Sequence, residues 1–84
     1  MPIIARFYSI IIKMYYIEDE HNPPHIHAIT QDFDAPFNIA TGEIMEGEFP
    51  NKAQALVKEF IETYRKELLE MWETEKYIKL PPLK

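Results

Sequence analysis

The N-terminal part of the chain is strongly apolar, and every second position is more hydrophobic than its neighbours on average. Residues 6–17 (RFYSIIIKMYYI) are rich in β-branched and aromatic side chains, which is typical of a β-strand. Alternate side chains of a strand lie on one face, and the even-numbered positions are the more apolar here. The pattern predicts one long strand over residues 6–17 whose core face carries Tyr8, Ile10, Ile12, Met14 and Tyr16.

Shorter apolar stretches follow this first strand. A loop at residues 18–24 precedes a predicted second strand near residues 25–31, and the run QDFDAP predicts a turn before a third strand at residues 37–40. Thr41 and Gly42 separate this strand from a predicted fourth strand at residues 44–48. They favour a hairpin turn, because glycine takes a positive φ at low cost.

After Pro50 the apolar period changes from two to 3.6, which predicts a helix over residues 51–75 with a loosely held tail at 76–84. Asn51 and Gln54 have the spacing of a capping box, and Leu69 and Met71 lie off the main apolar stripe. The stripe comprises Ala53, Leu56, Val57, Phe60, Ile61, Tyr64, Leu68 and Trp72. The sequence predicts a single α+β domain, an antiparallel sheet of about four strands packed against one long C-terminal helix.

Composition narrows the class of protein. A chain of 84 residues with 46% hydrophobic content predicts one folded domain with a thin core. The absence of cysteine excludes disulfides and thiolate metal sites and fits a reducing compartment. No N-terminal stretch has the pattern of a targeting signal, and Lys13 interrupts the longest apolar run well before it could span a bilayer. We expect a soluble, cytoplasmic protein with no membrane contact.

The charge balance bears on partners. Nine basic and fourteen acidic residues give a formal net charge of −5, which counts against a general nucleic-acid binder. It favours a basic protein partner or a small ligand, and it leaves room for a local basic patch.

All three histidines lie within residues 21–27, HNPPHIH. Pro23 and Pro24 have a fixed φ and lack an amide hydrogen, and Asn22 is held extended by the proline after it. The segment therefore enters the second strand stiffly. Such a segment positions side chains well, and it also ends or protects a strand.

Metal binding is one hypothesis for these histidines. His25 and His27 alternate on a strand, so their side chains share a face about 6.6 Å apart and could converge on one ion. His21 would join them only if the loop folds back, and one of the acidic residues at 18–20 would complete the site.

Acid–base catalysis is a second hypothesis. His25 and His27 would serve as general acid and base of a metal-independent ribonuclease, assisted by His21 or a tyrosine. The side chains available to stabilise a developing phosphorane charge are Arg6, Lys13, Tyr15 and Tyr16.

The preferred interpretation assigns the histidines to hydrogen bonding and to a binding surface. Trp72, late on the helix, would cap the core or contact a partner. The predicted binding residues on this surface are Asn22, Pro23, Pro24, Arg6, Tyr16 and Trp72. This interpretation calls for no cofactor.

Four runs together resemble one known family: MPIIARFYSIIIKMYY, HNPPHIHA, TGEIMEGEFP and ALVKEFIETYRKELLEMW. The family is domain of unknown function 4160, and the resemblance extends over residues 2–72, with HNPPHIH as its most specific element and the turn at residues 41–47 second. Members are small prokaryotic proteins. Many are encoded beside a small protein of the family domain of unknown function 2442, in an arrangement like a toxin–antitoxin module. The resemblance therefore implies a protein partner encoded by a neighbouring gene.

Two positions depart from the family pattern. Ser9 stands where the family commonly has glycine, and Tyr64 stands where it often has a histidine before the arginine at position 65. A site that used a helical histidine would be incomplete in this chain.

We therefore expect a small cytoplasmic component of a two-gene module that binds a cognate protein, with residues 21–27 as its functional face. The first alternative is a ribonuclease-type toxin using His25 and His27, for which RNA would be the substrate. A further alternative is a metal-binding module. An exposed edge strand also makes a homodimer conceivable.

Overall fold

The computed structural model describes residues 3–14, 23–74 and 76–81. It contains one antiparallel sheet and one long helix, so the predicted α+β class is confirmed. The elements are β1 (Ile3–Phe7), β2 (Ile10–Lys13), β3 (His25–Ile29), β4 (Asp34–Asn38) and α1 (Asn51–Thr74). The strands lie side by side in chain order, β1-β2-β3-β4.

The predicted single strand over residues 6–17 is wrong, because the chain reverses at Tyr8 and Ser9. These two residues have φ values of 48° and 66°, and Phe7 pairs with Ile10 across them. A two-residue hairpin with a type I′ turn has positive φ at both turn positions, a conformation usually supplied by glycine, asparagine or aspartate. Since none of these residue types occurs here, the sequence carried no turn signal. Tyr8, predicted on the core face, is 59% exposed at the turn.

The other even-numbered positions behave as predicted. Ile10, Ile12 and Met14 are buried, and Tyr16 lies outside the described residues. On β1 the register shifts between Ile3 and Ala5, which is a β-bulge. Burial of the consecutive residues Ile4 and Ala5 accompanies this extra residue.

The third and fourth predicted strands are shifted. β4 begins at Asp34, within the run predicted as a turn, and the turn is closed by the bond from the Thr30 amide to the Phe33 carbonyl at 2.8 Å. The predicted strand at residues 44–48 is reduced to one bridge between Phe37 and Ile44. The number of strands was correct because the N-terminal hairpin supplies one strand more than expected.

One face of the sheet, the inner face, packs against α1. It carries Ala5, Phe7, Ile10, Ile12, Met14, Ile26, Ala28, Ala35 and Phe37, all 5% exposed or less. The ring of Phe7 stacks on Phe60 of α1 at 5.0 Å, and Val57, Ile61 and Leu68 are fully buried on the same helix. These contacts form one core between the two layers.

The helix occupies the predicted range, but its start differs in detail. The Pro50 carbonyl accepts the first helical bond, from the Gln54 amide at 2.8 Å, so Pro50 rather than Asn51 holds the N-cap position. The Gln54 side chain donates to the Phe49 carbonyl at 2.7 Å, and the predicted capping box with Asn51 is not formed.

Within α1 the backbone at Tyr64 leaves helical values, with φ −116° and ψ 22°. The helix bends here although it contains neither proline nor glycine. Met71, predicted off the apolar stripe, is buried at 3% exposure three residues after Leu68. Its sulfur accepts the Ile78 amide at 3.3 Å, so the chain after the helix contributes to this burial.

Both edges of the sheet are partly covered by other segments. The Leu80 amide donates to the Ile4 carbonyl at 2.8 Å, which attaches the tail to β1 although a loosely held tail was expected. At the other edge the Met45 amide donates to the Pro36 carbonyl at 2.9 Å. Such cover reduces the number of backbone groups open to pairing with another chain.

Among the described residues, no helix has both the length and the apolar composition needed to cross a membrane.

Candidate functional site

The two described histidines occupy alternate positions of β3. Ile26, between the two histidines, and Ala28, directly after His27, are fully buried on the inner face. His25 and His27 therefore belong to the opposite face. Their imidazole rings lie 5.3 Å apart at an angle of 64°. The structure thus brings together the two histidines that the sequence predicted to share a face.

His25 is enclosed by protein. It is 4% exposed, its ring lies 5.0 Å from the ring of Trp72, and its Nδ1 lies 3.0 Å from the Pro23 carbonyl. A carbonyl oxygen only accepts hydrogen bonds, so Nδ1 carries a proton and donates to it. His25 therefore links the proline segment to the end of α1.

The two prolines act through their carbonyl groups. Pro23 accepts the bond from His25, and Pro24 accepts the Ile39 amide at 3.0 Å. This second bond joins the segment to the end of β4. The stiff approach expected from the sequence therefore has a structural use, since it fixes the start of β3 on two sides.

His27 lies in a different environment. Its Nδ1 is 3.6 Å from Oδ1 of Asp34, and the two side chains are 22% and 58% exposed. In the strand register it is opposite Lys13 on β2 and opposite Pro36 on β4. The imidazole that reaches the surface is thus next to a cation on one strand and a carboxylate on the other.

The strand register places further residues on the same side of the sheet as His27. Arg6 is opposite Ile11, which is opposite Ile29, which is opposite Asp34. We call this side the open face; it comprises Arg6, Ile11, Lys13, His27, Ile29, Asp34 and Pro36. Arg6 and Asp34 are exposed and the others are half-buried, so the open face combines partly accessible apolar side chains with charged ones.

The predicted binding residues are only partly brought together. Trp72 contacts His25. Arg6 is on the open face, but β2 separates it from the histidines. Pro23 is exposed and Pro24 half-buried at the start of β3. His21, Asn22 and Tyr16 lie outside the described residues.

The metal hypothesis gains no ligand set from this geometry. Within residues 3–14, 23–74 and 76–81, no three histidine, cysteine, aspartate or glutamate side chains are grouped so that they could hold an ion. His21 and the acidic residues at 18–20, which the hypothesis also named, lie outside those ranges.

The second sequence motif, at residues 41–47, has a structural role. The Asn38 side-chain oxygen accepts the Ala40 amide at 2.7 Å and the Thr41 amide at 3.2 Å, and Gly42 has the positive φ that the sequence predicted, 77°. A Cβ on Gly42 would lie 3.0 Å from Cγ of Lys58, so glycine also permits the close approach of the turn to α1.

An ion pair holds the same turn on the helix. Nζ of Lys58 donates to Oε1 of Glu43 at 2.8 Å, and this hydrogen bond, more than the charge attraction that accompanies it, raises the pKa of Lys58 above its ordinary value. Further along the helix, Nε of Arg65 donates to the Ile39 carbonyl at 2.9 Å, directly after the bend at Tyr64. The turn at residues 41–47 thus has a structural role, because it packs against α1 and is bonded to it.

Sequence reasoning missed two members of the site. Lys13 was named only as a helper for phosphate chemistry, and Asp34 was placed in a turn. Their proximity to His27 follows from the register of β2, β3 and β4, which pairs residues far apart in the chain.

Comparisons with known proteins place the chain in a family. A search of curated proteins and a search of solved structures gave no match. The family model for Domain of unknown function (DUF4160) matches residues 9–73, which include β2, β3, β4 and nearly all of α1. By this match over most of its length, the chain belongs to the family Domain of unknown function (DUF4160).

Proposed function

We propose that this protein binds a cognate protein partner through its open face, as the small cytoplasmic component of a two-gene, toxin–antitoxin-like module. The observation that carries the proposal is the composition of this face: Ile11, Ile29 and Pro36 remain partly accessible beside the charged residues and His27. Partly exposed apolar residues among polar ones are characteristic of protein contact surfaces. The gene pairing itself is an implication of the family resemblance.

The described part of the site favours binding over catalysis. His25 is enclosed by Trp72 and bonded to Pro23, so it acts as a support for the segment. A general acid and a general base must both reach the substrate within hydrogen-bonding distance. Of the two described histidines, His27 is the more accessible.

The experiment is co-expression with the small protein encoded by the adjacent gene, followed by purification through a tag on that partner. Ile11→Glu should abolish co-purification, because it places a charge in the apolar part of the open face. The new carboxylate lies opposite Arg6, so the free domain should stay folded by circular dichroism. Ile78→Glu is the matched control, since Ile78 is 57% exposed beside α1 and away from the open face.

Retention of the partner by Ile11→Glu, or a wild-type chain that never binds the neighbouring product, would contradict the proposal. Loss of binding in both variants would also contradict it, because the effect would then not depend on the open face.

One observation favours a second function, an RNA-cleaving toxin. The His25 and His27 rings lie 5.3 Å apart, and Lys13 is opposite His27, where it could stabilise charge on a phosphate. Induced expression separates the two functions. A toxin arrests growth, and His27→Gln relieves the arrest while the domain remains folded. A partner-binding protein is harmless when expressed alone.

A further inference from the structure

The cations of the open face are placed near one another. Arg6 is opposite Ile11 and Lys13 is two residues further along β2, so Arg6 and Lys13 are diagonal neighbours with Cα atoms about 7–8 Å apart. Lys13 is in turn opposite His27. The formal net charge of the chain is −5, so this basic region has the opposite sign to the whole protein.

Arg6 and Lys13 have no carboxylate partner among the described residues. Lys58, by comparison, is held by Glu43 at 2.8 Å. Asp34, the carboxylate within the open face, is on β4 beside His27, two strands away from Lys13 on β2 and three strands away from Arg6 on β1. Positive charge that has no carboxylate partner within the described residues is available to a binding partner.

A third cation extends the basic region toward the edge of the sheet. Lys79 of the tail and Arg6 line the same cleft beside β1, with a volume of about 230 Å³. The cleft is also lined by Ile3, Ile4, Ala5 and Leu80, and the Leu80 amide donates to the Ile4 carbonyl. The cleft therefore combines charged and apolar residues, as the open face does.

We propose that the open face binds an acidic, amphipathic segment of the protein partner. Carboxylates of that segment would meet Arg6 and Lys13, and its apolar side chains would pack on Ile11 and Ile29. The proposal rests on the proposed function and names the class of partner surface. The net charge of the chain alone suggested a basic partner. An acidic segment is expected instead, because the local charge of the face governs the contact.

Nucleic acid fits this surface less well. A few cations on a chain of net charge −5 neutralise too few phosphates to hold a polyanion. Single-stranded RNA is held by aromatic side chains that stack on bases, and the open face contains none besides the imidazole of His27. Ile11, Ile29 and Pro36 of the open face are instead apolar, which suits a protein segment.

The test compares two pairs of charge reversals in the complex with the neighbour-encoded protein. Arg6→Glu with Lys13→Glu changes the open face, whereas Lys52→Glu with Lys66→Glu makes the same change in net charge at exposed positions of α1. The first pair should raise the dissociation constant by roughly tenfold or more and remove most of its dependence on salt concentration. The control pair should change it less than about twofold.

Three outcomes overturn the inference alone, and each leaves a wild-type complex in place. The first is equal weakening by both pairs, which indicates bulk charge. The second is tight binding by Arg6→Glu with Lys13→Glu although Ile11→Glu dissociates the complex. The third is binding of a single-stranded RNA of about 20 nucleotides that the first pair abolishes, because the face then takes phosphate. Absence of any wild-type complex overturns the proposed function and the inference together.

The open face could alternatively contact a second copy of this chain. Analytical ultracentrifugation of the isolated protein, which measures its oligomeric state, tests this alternative. A monomer at micromolar concentration supports the inference. A dimer that dissociates in Arg6→Glu with Lys13→Glu contradicts it, because the open face would then be a self-contact.

Discussion

Ile10 and Ile12 are 2% and 0% exposed on the inner face, whereas Ile11 between them remains half-exposed on the open face. The three side chains are chemically identical, and their burial differs because successive residues of a strand point to opposite sides of the sheet. The core-forming side chains of α1 pack on the inner face, to which Ile10 and Ile12 belong and Ile11 does not. The same residue type therefore stabilises the fold at one position and is available to a partner at the next.

The two histidines repeat this contrast within one strand. His25 is enclosed by Trp72 and bonded to Pro23, while His27 is partly exposed between Lys13 and Pro36. The difference arises at the end of the helix, where Trp72 reaches the start of β3 and leaves the middle of the strand uncovered by its ring. Two histidines of the same sequence motif thus have different structural roles.

The largest expected effect tests the two faces directly. Ile26→Ala should lower the free energy of unfolding by about 2–5 kcal/mol, because it leaves a cavity in the core at a fully buried position. Ile29→Ala, on the open face, should cost less than about 1 kcal/mol. Urea denaturation followed by circular dichroism measures both. Equal costs for the two variants would show that the open face is also buried in the free protein.

A smaller effect is expected for the histidines. His25→Ala should cost about 1–3 kcal/mol, because it removes the packing on Trp72 and leaves the Pro23 carbonyl without its donor. His27→Ala should stay within about 0.5 kcal/mol of the wild type. The same denaturation experiment decides the matter. The comparison fails if His27→Ala is the more destabilising change.

Ser9→Gly should stabilise the protein by about 0.5–1 kcal/mol. Ser9 has φ 66°, a conformation that is unfavourable for residues with a side chain and easy for glycine. Because the hairpin sets which residues of β2 reach each face, the gain should come without loss of partner binding. An unchanged or lower melting temperature would contradict the assignment of strain to Ser9.

The smallest effect concerns the turn that rests on α1. The bond from Lys58 to Glu43 raises the pKa of Lys58, so its stabilising contribution is complete below the unfolded value of 10.5 and is lost as pH rises through the folded value. The melting temperature should therefore fall slightly more in the wild type than in Glu43→Gln between neutral pH and alkaline pH. Parallel curves for the two proteins would show that the pair contributes nothing.

The local sequence pattern was sufficient to predict the elements whose residues all have ordinary negative φ values. The apolar stripe of α1 predicted its range and most of its buried residues, and the pairing of His25 with His27 on one face followed from strand geometry. The β1–β2 hairpin was missed because Tyr8 and Ser9 adopt positive φ without glycine or asparagine. The pairing of Lys13 with His27 was missed for a different reason, because the register between β2 and β3 joins residues far apart in the chain.

The sequence by itself determined the α+β class, the long helix, the family and the position of the histidine motif, because these depend on periodicity and on residues close together in the chain. Only the tertiary structure decided that His25 is enclosed and His27 is not, and that Arg6, Lys13 and Ile11 share a face with His27. Those facts depend on strand register and on which side the helix covers. Both are set by contacts between residues far apart in the chain, which no local pattern records.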